Sequence, residues 1–335
     1  MDPRRYFLRP FADSDYDTLS RIETEITPEV PVTPENERHW SRVLDSGRLV
    51  NEKWAVEDRD SGKTVGVGAI AQSAYSPDSH GFWVTVLVEP THSHRGIGRA
   101  LGALLDAEAA AHHATRFWTS VRKDDPRSVR FAEQQGFSEM RTTWMSELDL
   151  TAESPVAPED RTAGIEHDGI RLTTLAREGP KREEVRRRVY DLWAETGRDV
   201  PRMGDYTPMT YDLFLTEFDG PTMIPEAFFI ACHEEKYVAC SHLERNLAGG
   251  DSVIVGYTGT LPAYRSRGLA TELKRRTVEW ARSQGIHYLR TFNDSLNHPI
   301  WAINEKVGFH RVVEWSQRER RFNPPATPSP APAVP

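Results

Sequence analysis

Apolar positions along the chain fall into two rhythms that recur in the same order twice. Short runs rich in β-branched and aromatic residues predict strands at Phe7–Arg9, Lys53–Glu57, Thr64–Ala71 and Gly81–Val88. They return at Ile170–Thr174, Ala227–Cys232, Tyr237–Arg245 and Ser252–Leu261. Helix-period stretches lie near Ser14–Glu23 and Pro34–Leu44, and again at Lys181–Thr196 and Thr210–Thr216. A glycine turn then leads into an apolar helix, Gly98–Ala114 or Leu269–Ser283. A buried strand follows, Arg116–Val121 or Tyr288–Phe292, then a short helix and closing strands. The fold class this order predicts is α/β, an α+β mixed sheet, built twice.

The repeat extends to single residues. Forty residues separate Gly96 from Gly136, and forty separate Gly268 from Gly308. A constant offset of 172 carries Pro90 to Pro262, Arg95 to Arg267, Leu101 to Leu273, Thr119 to Thr291, Glu133 to Glu305 and Phe137 to Phe309 without a gap. Such a set in register marks a tandem duplication of one domain. The expected boundaries are a first domain over 1–150, a linker over 151–168 and a second domain over 169–322. The linker is rich in Pro, small and acidic residues. Residues 323–335 hold six prolines and almost no apolar bulk, and are expected to be a disordered tail.

A length of 335 residues agrees with two domains, and 38% hydrophobic with 27% charged residues describes a globular chain. The net charge of −8 argues against nucleic acid as the main partner. No apolar run approaches the roughly 18 residues of a membrane span, so no membrane partner is expected. The start, Met1-Asp-Pro-Arg-Arg-Tyr, lacks the pattern of a signal peptide. Two cysteines, Cys232 and Cys240, sit in apolar runs and make neither a metal cage nor a disulfide framework. Buried thiols, a cytoplasmic location and no metal are the expectation. Oligomeric state is left open.

A strand that enters a glycine turn and then a helix makes an anion site, because the first helical N–H groups have no intrahelical partner and the dipole adds positive charge. Glycine lets a phosphate approach the backbone. Arg95, Arg99, Arg265 and Arg267 add full charges. A Walker loop would need Gly-Lys-Ser/Thr, which is absent. A Rossmann turn would need a third small residue where Gly96-x-Gly98 is followed by Leu101. Arg265-Ser-Arg-Gly268-Leu-Ala270 instead resembles the Gln/Arg-x-x-Gly-x-Gly/Ala signature of the Gcn5-related N-acetyltransferase (GNAT) family. The later Gly-Phe pairs are also similar to that family's. Thr291-x-Asn293-x-x-x-Asn297-x-Pro299, followed by Ile303 to Phe309, resembles a tandem subgroup to which mycothiol synthase is more distantly similar.

The resemblance implies two tandem GNAT-like acyl-CoA N-acyltransferase domains. Acetyl-CoA would be the acyl-donor cosubstrate, lying in a V between two splayed parallel strands. Its pantetheine arm would pair with backbone at Thr85, Val86, Leu87 and Val88, or at Thr258, Gly259, Thr260 and Leu261. Its pyrophosphate would sit on His94, Arg95, Gly96, Ile97, Gly98 and Arg99, or on Arg265, Ser266, Arg267, Gly268, Leu269 and Ala270. Asn297 stands where the family's asparagine contacts the cofactor. The first half has Asp125 there and Ser93 at the Gln/Arg position, so the second half is expected to hold the cofactor more tightly.

Acetyl transfer to an amine needs a base, polarisation of the thioester and a proton for the leaving thiolate. In many relatives a tyrosine five residues before the Phe of Gly-Phe supplies that proton, and here Ala132 and Asn304 hold those positions. Asn304 keeps a polarising or binding role open. Glu244 is the candidate base and Tyr257 the candidate acid, although a strand-end glutamate is ordinarily solvated and a strand tyrosine ordinarily packing. The expected activity is acetyl transfer to a small-molecule amine by direct transfer in a ternary complex. O-acetyl transfer on the same fold, or a binding protein with degenerate halves, are the alternatives.

Overall fold

The computed structural model describes residues 1–75, 80–152 and 162–322. The first half supplies β1 (Tyr6–Pro10), α1 (Tyr16–Ile26), α2 (Pro34–Ser46), β2 (Asn51–Asp58), β3 (Lys63–Ala71) and β4 (Gly81–Val88). It continues with α3 (Ile97–Ala111), β5 (Arg116–Arg122), α4 (Pro126–Gln134) and β6 (Ser138–Asp149). The second supplies α5 (Thr162–His167), β7 (Ile170–Thr174), α6 (Leu175–Glu178), α7 (Glu183–Thr196), α8 (Tyr211–Phe218), β8 (Met223–His233) and β9 (Lys236–Arg245). Then come β10 (Ser252–Thr260), α9 (Leu269–Ser283), β11 (Tyr288–Asp294), α10 (His298–Val307) and β12 (His310–Arg321).

Local chemistry sets the helix ends. Thr33 caps α2, its Oγ1 accepting from the Asn36 N–H, with Pro34 in the first turn. Helix α3 stops three residues before the expected Ala114, because His113 adopts a left-handed φ of 53°. The expected linker is not featureless at its end: α5 lies there and buries Ile165. Residues 153–161 and the proline-rich tail 323–335 lie outside the described residues.

The twelve strands of the described residues join one sheet in the order β1-β2-β3-β4-β5-β12-β6-β11-β10-β9-β8-β7. The closing strands are exchanged. β12 pairs antiparallel with β5 of the first half, β6 pairs antiparallel with β11 of the second, and β6 and β12 pair with each other. Each half therefore lends its last strand to the other, and the two are one continuous hydrogen-bonded body.

Among the described residues, the only parallel pairs in this sheet are β4 with β5 and β10 with β11. Each holds for three residue pairs, Gly81↔Arg116 to Trp83↔Trp118 and Ser252↔Tyr288 to Ile254↔Arg290, and then splays. Two V-shaped clefts result. The halves differ in one respect that matters for chemistry. β10 bulges between Val255 and Tyr257, leaving Gly256 out of the ladder, whereas β4 pairs regularly with β3 from Trp83 to Val88. Helices α7, α8 and α9 pack around Phe214, Phe228, Ile230 and Cys240 to form the core under the second V.

Candidate active site

β10 ends in a short turn over Pro262–Tyr264, and the chain reaches α9 through Arg265 to Gly268. Ser266 and Gly268 take positive φ of 62° and 80°, and His94 and Gly96 repeat this at 60° and 81° in the first half. Neither α3 nor α9 has a side chain capping its first N–H groups, so those donors face the cleft mouth. In the second half the cleft is a cavity of about 540 Å³. Thr258, Gly259, Thr260, Arg265, Ser266, Gly268, Leu269 and Ala270 form one wall, and Asn297, Ile303 and Lys306 the other. A Cβ on Gly259 would lie 2.7 Å from the Tyr257 ring and 2.9 Å from Thr196 Oγ1, so this backbone is kept open by the absence of a side chain.

The first-half cleft is wider, about 1040 Å³, with Val86, Leu87, Val88, Ser93, His94, Gly96, Ile97, Gly98 and Arg99 on its walls. Asp125 also lines it and caps α4, accepting from Ser128 Oγ and the 127 and 128 N–H groups. Burial works the other way, but these hydrogen bonds hold its carboxyl below the usual range. A fixed negative charge thus sits where a phosphate would approach. The backbone of Met1 also presses on Gly96: its nitrogen would be 2.5 Å from a Cβ there.

A second cavity, about 450 Å³, adjoins the second-half cleft and shares Val200, Tyr257 and Asn297 with it. Glu244 lines it from β9, with Oε1 3.2 Å from His242 Nε2. His242 is 1% exposed, stacked on Phe228 at 4.7 Å between ring centroids, with the Trp193 ring at 5.4 Å. Its Nδ1 is sealed without a partner, so the proton belongs on Nε2, which donates to the Glu244 carboxylate. A Cβ on Gly256 would lie 2.2 Å from Glu244 Oε1 and 2.4 Å from His242 Nε2. The bulge glycine lets this pair lie against β10. Gly256→Val should therefore displace Glu244 and lower kcat at least about tenfold with little change in acetyl-CoA affinity, read by steady-state kinetics beside calorimetry.

Across the cavity from α8, Glu217 accepts from Tyr75 Oη at 3.2 Å. Burial, reinforced by the Glu244 charge, pushes the Glu217 carboxyl up to about 7. Trp83, Arg141 and Thr143 reach the same cavity from the first half. Behind it, Lys274 of α9 is 1% exposed and donates to Asn304 Oδ1. Asn304 Nδ2 then donates to Asn293 Oδ1 at 2.7 Å, and Asn293 lines the cavity. Burial alone pulls the Lys274 ammonium down to about 7.

The sequence model of the acetyltransferase (GNAT) family matches residues 16–137 and again 187–309. The chain belongs to the GNAT family. Mycothiol acetyltransferase of Stackebrandtia nassauensis is 26% identical over 232 residues, covering 68% of this chain and 71% of that relative. The protein of the same name from Saccharomonospora viridis is 25% identical over 248 residues, covering 69% and 73%. In fold, the chain is similar to a tandem GNAT protein from the clavulanic acid biosynthesis pathway, with TM-score 0.72, 19% identity and coverage of 96% and 99%. A GCN5-related N-acetyltransferase from Sphaerobacter thermophilus gives TM-score 0.69, 18% identity and coverage of 95% and 96%. The protein is thus a tandem GNAT acyltransferase, the family that the glycine turns resemble.

Against this GNAT frame most of the expected turn residues reach their clefts, with three corrections. Arg95 and Arg267 turn away: Arg95 donates to Tyr6 Oη at 3.0 Å, and Arg267 lies over the Tyr264 ring at 5.1 Å. Asn304 touches neither cavity, since it is 1% exposed with both ends of its amide engaged. Tyr257 does line both cavities, but its hydroxyl donates to Thr196 Oγ1 at 2.8 Å, and Thr196 donates onward to the Leu192 carbonyl. Its proton is committed to α7, and burial pushes the phenol up. Cys232 and Cys240 are free and buried, and burial pushes their thiols to about 11 and about 12. Neither is a nucleophile at neutral pH. No helix of the described residues is long and apolar enough to cross a membrane.

Tyr75, Trp83, Arg202, Glu217 and Lys274 were not legible as site residues in the sequence pattern, and Asn293 stood in a motif without a role. At the repeat offset, Gln72 stands where Glu244 is and Gly102 where Lys274 is.

Proposed function

We propose that the second half transfers an acetyl group from acetyl-CoA to a small-molecule amine by direct attack in a ternary complex, with Glu244 as the base. The observation that carries this reading is the meeting of two cavities at Tyr257, Val200 and Asn297. One is bounded by the glycine turn and the other holds the Glu244–His242 pair. Bound acetyl-CoA supplies the thioester carbonyl, whose carbon–sulfur bond breaks as the carbon–nitrogen bond forms. The uncapped N–H groups of α9 and Arg265 would hold its pyrophosphate, and the 258–260 backbone its arm. Arg265 is steadied by Asp199 and by the Thr260 carbonyl.

Glu244 takes the first of the two protons that the ammonium must lose, the second passing to solvent after attack, and the donated His242 hydrogen bond keeps the carboxylate oriented. With Tyr257 engaged by Thr196, the departing thiolate takes its proton from solvent. Inert buried thiols support direct transfer over an acetyl-cysteine route. The relatives' name, mycothiol acetyltransferase, supports acetyl as the group moved, and unpaired thiols fit a reducing cytoplasm.

Free-thiol release from acetyl-CoA with a panel of amines, with product mass, tests the reaction. No acetylated amine would refute it. The site is tested by calorimetry. Gly268→Glu should weaken acetyl-CoA binding at least about tenfold through clash and repulsion. Gly96→Glu should leave the tight site intact, given Asp125 and Met1 in the first cleft. Two equal sites in the unaltered protein would refute this ranking of the halves.

A further inference from the structure

The cavity beside Glu244 carries charges that acetyl transfer to a simple amine does not use. Two arginines line it, Arg141 and Arg202. Arg141 is neutralised by Asp294 at 3.2 Å. Arg202 has no carboxylate partner among the described residues. Its Nε and Nη2 donate to the carbonyls of Val200 and Gly197, and Nη1 has no acceptor among the described residues. Aromatic faces hold the guanidinium in place, with Tyr206 at 4.2 Å and Tyr75 at 5.7 Å from the ring centroids. Burial pulls the Arg202 guanidinium below its ordinary value. A cation braced in a half-buried wall without a counter-ion is costly unless a ligand anion completes it.

The opposite charge lies at the other end of the same tyrosine. Tyr75 places its ring under Arg202 and its hydroxyl on Glu217, and Glu217 is close enough to Glu244 to feel its charge. The cavity is therefore polarised: two carboxylates on one side, where an ammonium is held and deprotonated, and a forked cation on the other. The walls between are aromatic, among them Trp83, Trp193 and Phe214. A guanidinium with a free N–H edge recognises a planar carboxylate better than a point cation would.

We propose that the acceptor is an amino carboxylate, its amine held between Glu217 and Glu244 and its carboxylate on Arg202. This deepens, and for turnover rests on, the reading of the second half as an amine acetyltransferase. In the reaction Glu244 takes one proton from the ammonium, the neutral nitrogen forms the bond to the acetyl carbon, and the carbon–sulfur bond breaks as CoA leaves as the thiolate. The second proton, left on nitrogen by the attack, passes to solvent, which protonates the thiolate, and the carboxylate on Arg202 is unchanged. Arg202 and Glu217 are specificity residues in this scheme.

The test compares short α- and ω-amino acids with their primary carboxamides, which keep the amine and lose the anion, with rates corrected for free-amine fraction. The full chain should prefer the best acid over its carboxamide by about tenfold or more in kcat/KM, mostly through KM, as expected for a charge-assisted fork. Arg202→Met, and Arg202→Gln as a second variant, should bring that ratio close to one, with folding checked by melting temperature. A ratio near one in the unaltered protein, or a preference that survives both substitutions, overturns the proposal. Binding without turnover is read separately by the fluorescence of Trp83 and Trp193, which line the cavity. If no compound is acetylated but the acid still quenches more tightly than its carboxamide, acetyl transfer fails and the amino-carboxylate site stands. If acetylation proceeds without acid preference, the reverse holds. If neither binding nor turnover prefers the acid, the proposal is wrong.

Discussion

Glu244→Gln should lower kcat by about 10²–10⁴-fold near neutral pH, the usual contribution of a positioned base, while acetyl-CoA affinity stays within error. Glutamine keeps the shape and still accepts from His242 Nε2, so the cavity and the bulge at Gly256 survive the change. What it cannot do is take a proton. An alkylamine with a pKa of about 10.4 is almost wholly protonated at pH 7, a gap of roughly 4–5 kcal/mol that the base must help to close. As pH rises the amine loses its proton unaided, so the defect should shrink steadily toward pH 10. Profiles of kcat and kcat/KM for both proteins check this. A deficit that is constant with pH, or smaller than about tenfold, would remove Glu244 from the base role. The paired control is Tyr257→Phe, which should cost less than about tenfold because its hydroxyl is spent on Thr196 rather than on the cleft.

The parts of this fold that were legible are those written in backbone conformation and local period. Gly96 and Gly268 are glycine because the turn needs a left-handed φ, and the same need places Gly308 after α10. His94 and Ser266 adopt that conformation too, without a glycine to announce it. The exchange of β6 and β12 left no trace, because an alternating strand has the same pattern whichever neighbour it pairs with. Spacing also could not say which turn arginines face the cleft, since Arg267 is captured by the Tyr264 ring and Arg265 by the Thr260 carbonyl and Asp199. The acceptor cavity is harder still. Tyr75 and Glu217 are 142 residues apart, and Arg202 sits in a loop with no motif. One signal was readable: helical period puts Lys274 on the face of α9 that also carries Leu273, Thr277, Val278 and Ala281, all of them buried.

That lysine gives the protein a stability that depends on pH in a defined window. Its folded value is about 7 against an ordinary 10.5, and burial is the cause. Between those two values the unfolded chain holds a proton that the folded chain has released. Unfolding therefore takes up a proton, and stability rises with pH across this window. Lys274→Met is similar in length, fills the same space and has no proton to exchange. Groups that titrate in both proteins cancel in the comparison. The unaltered protein should accordingly gain about 2–4 kcal/mol on the variant between pH 7 and pH 10, measured by urea unfolding at each pH. Near pH 7 the variant should be as stable or more so, because it buries no charge. Near pH 10 it should be the weaker, since Asn304 Oδ1 has lost its donor, a deficit of about 1–3 kcal/mol. A difference that does not move with pH would mean that Lys274 keeps its charge in the fold. The variant also reads the amide chain. Lys274 Nζ donates to Asn304 Oδ1, and that contact orients the amide with Asn304 Nδ2 toward Asn293 Oδ1. The Asn293 Nδ2 group is thereby left facing the acceptor cavity. Without that constraint both amides are free to flip, and KM for the acceptor should rise more than kcat falls, with acetyl-CoA affinity unchanged.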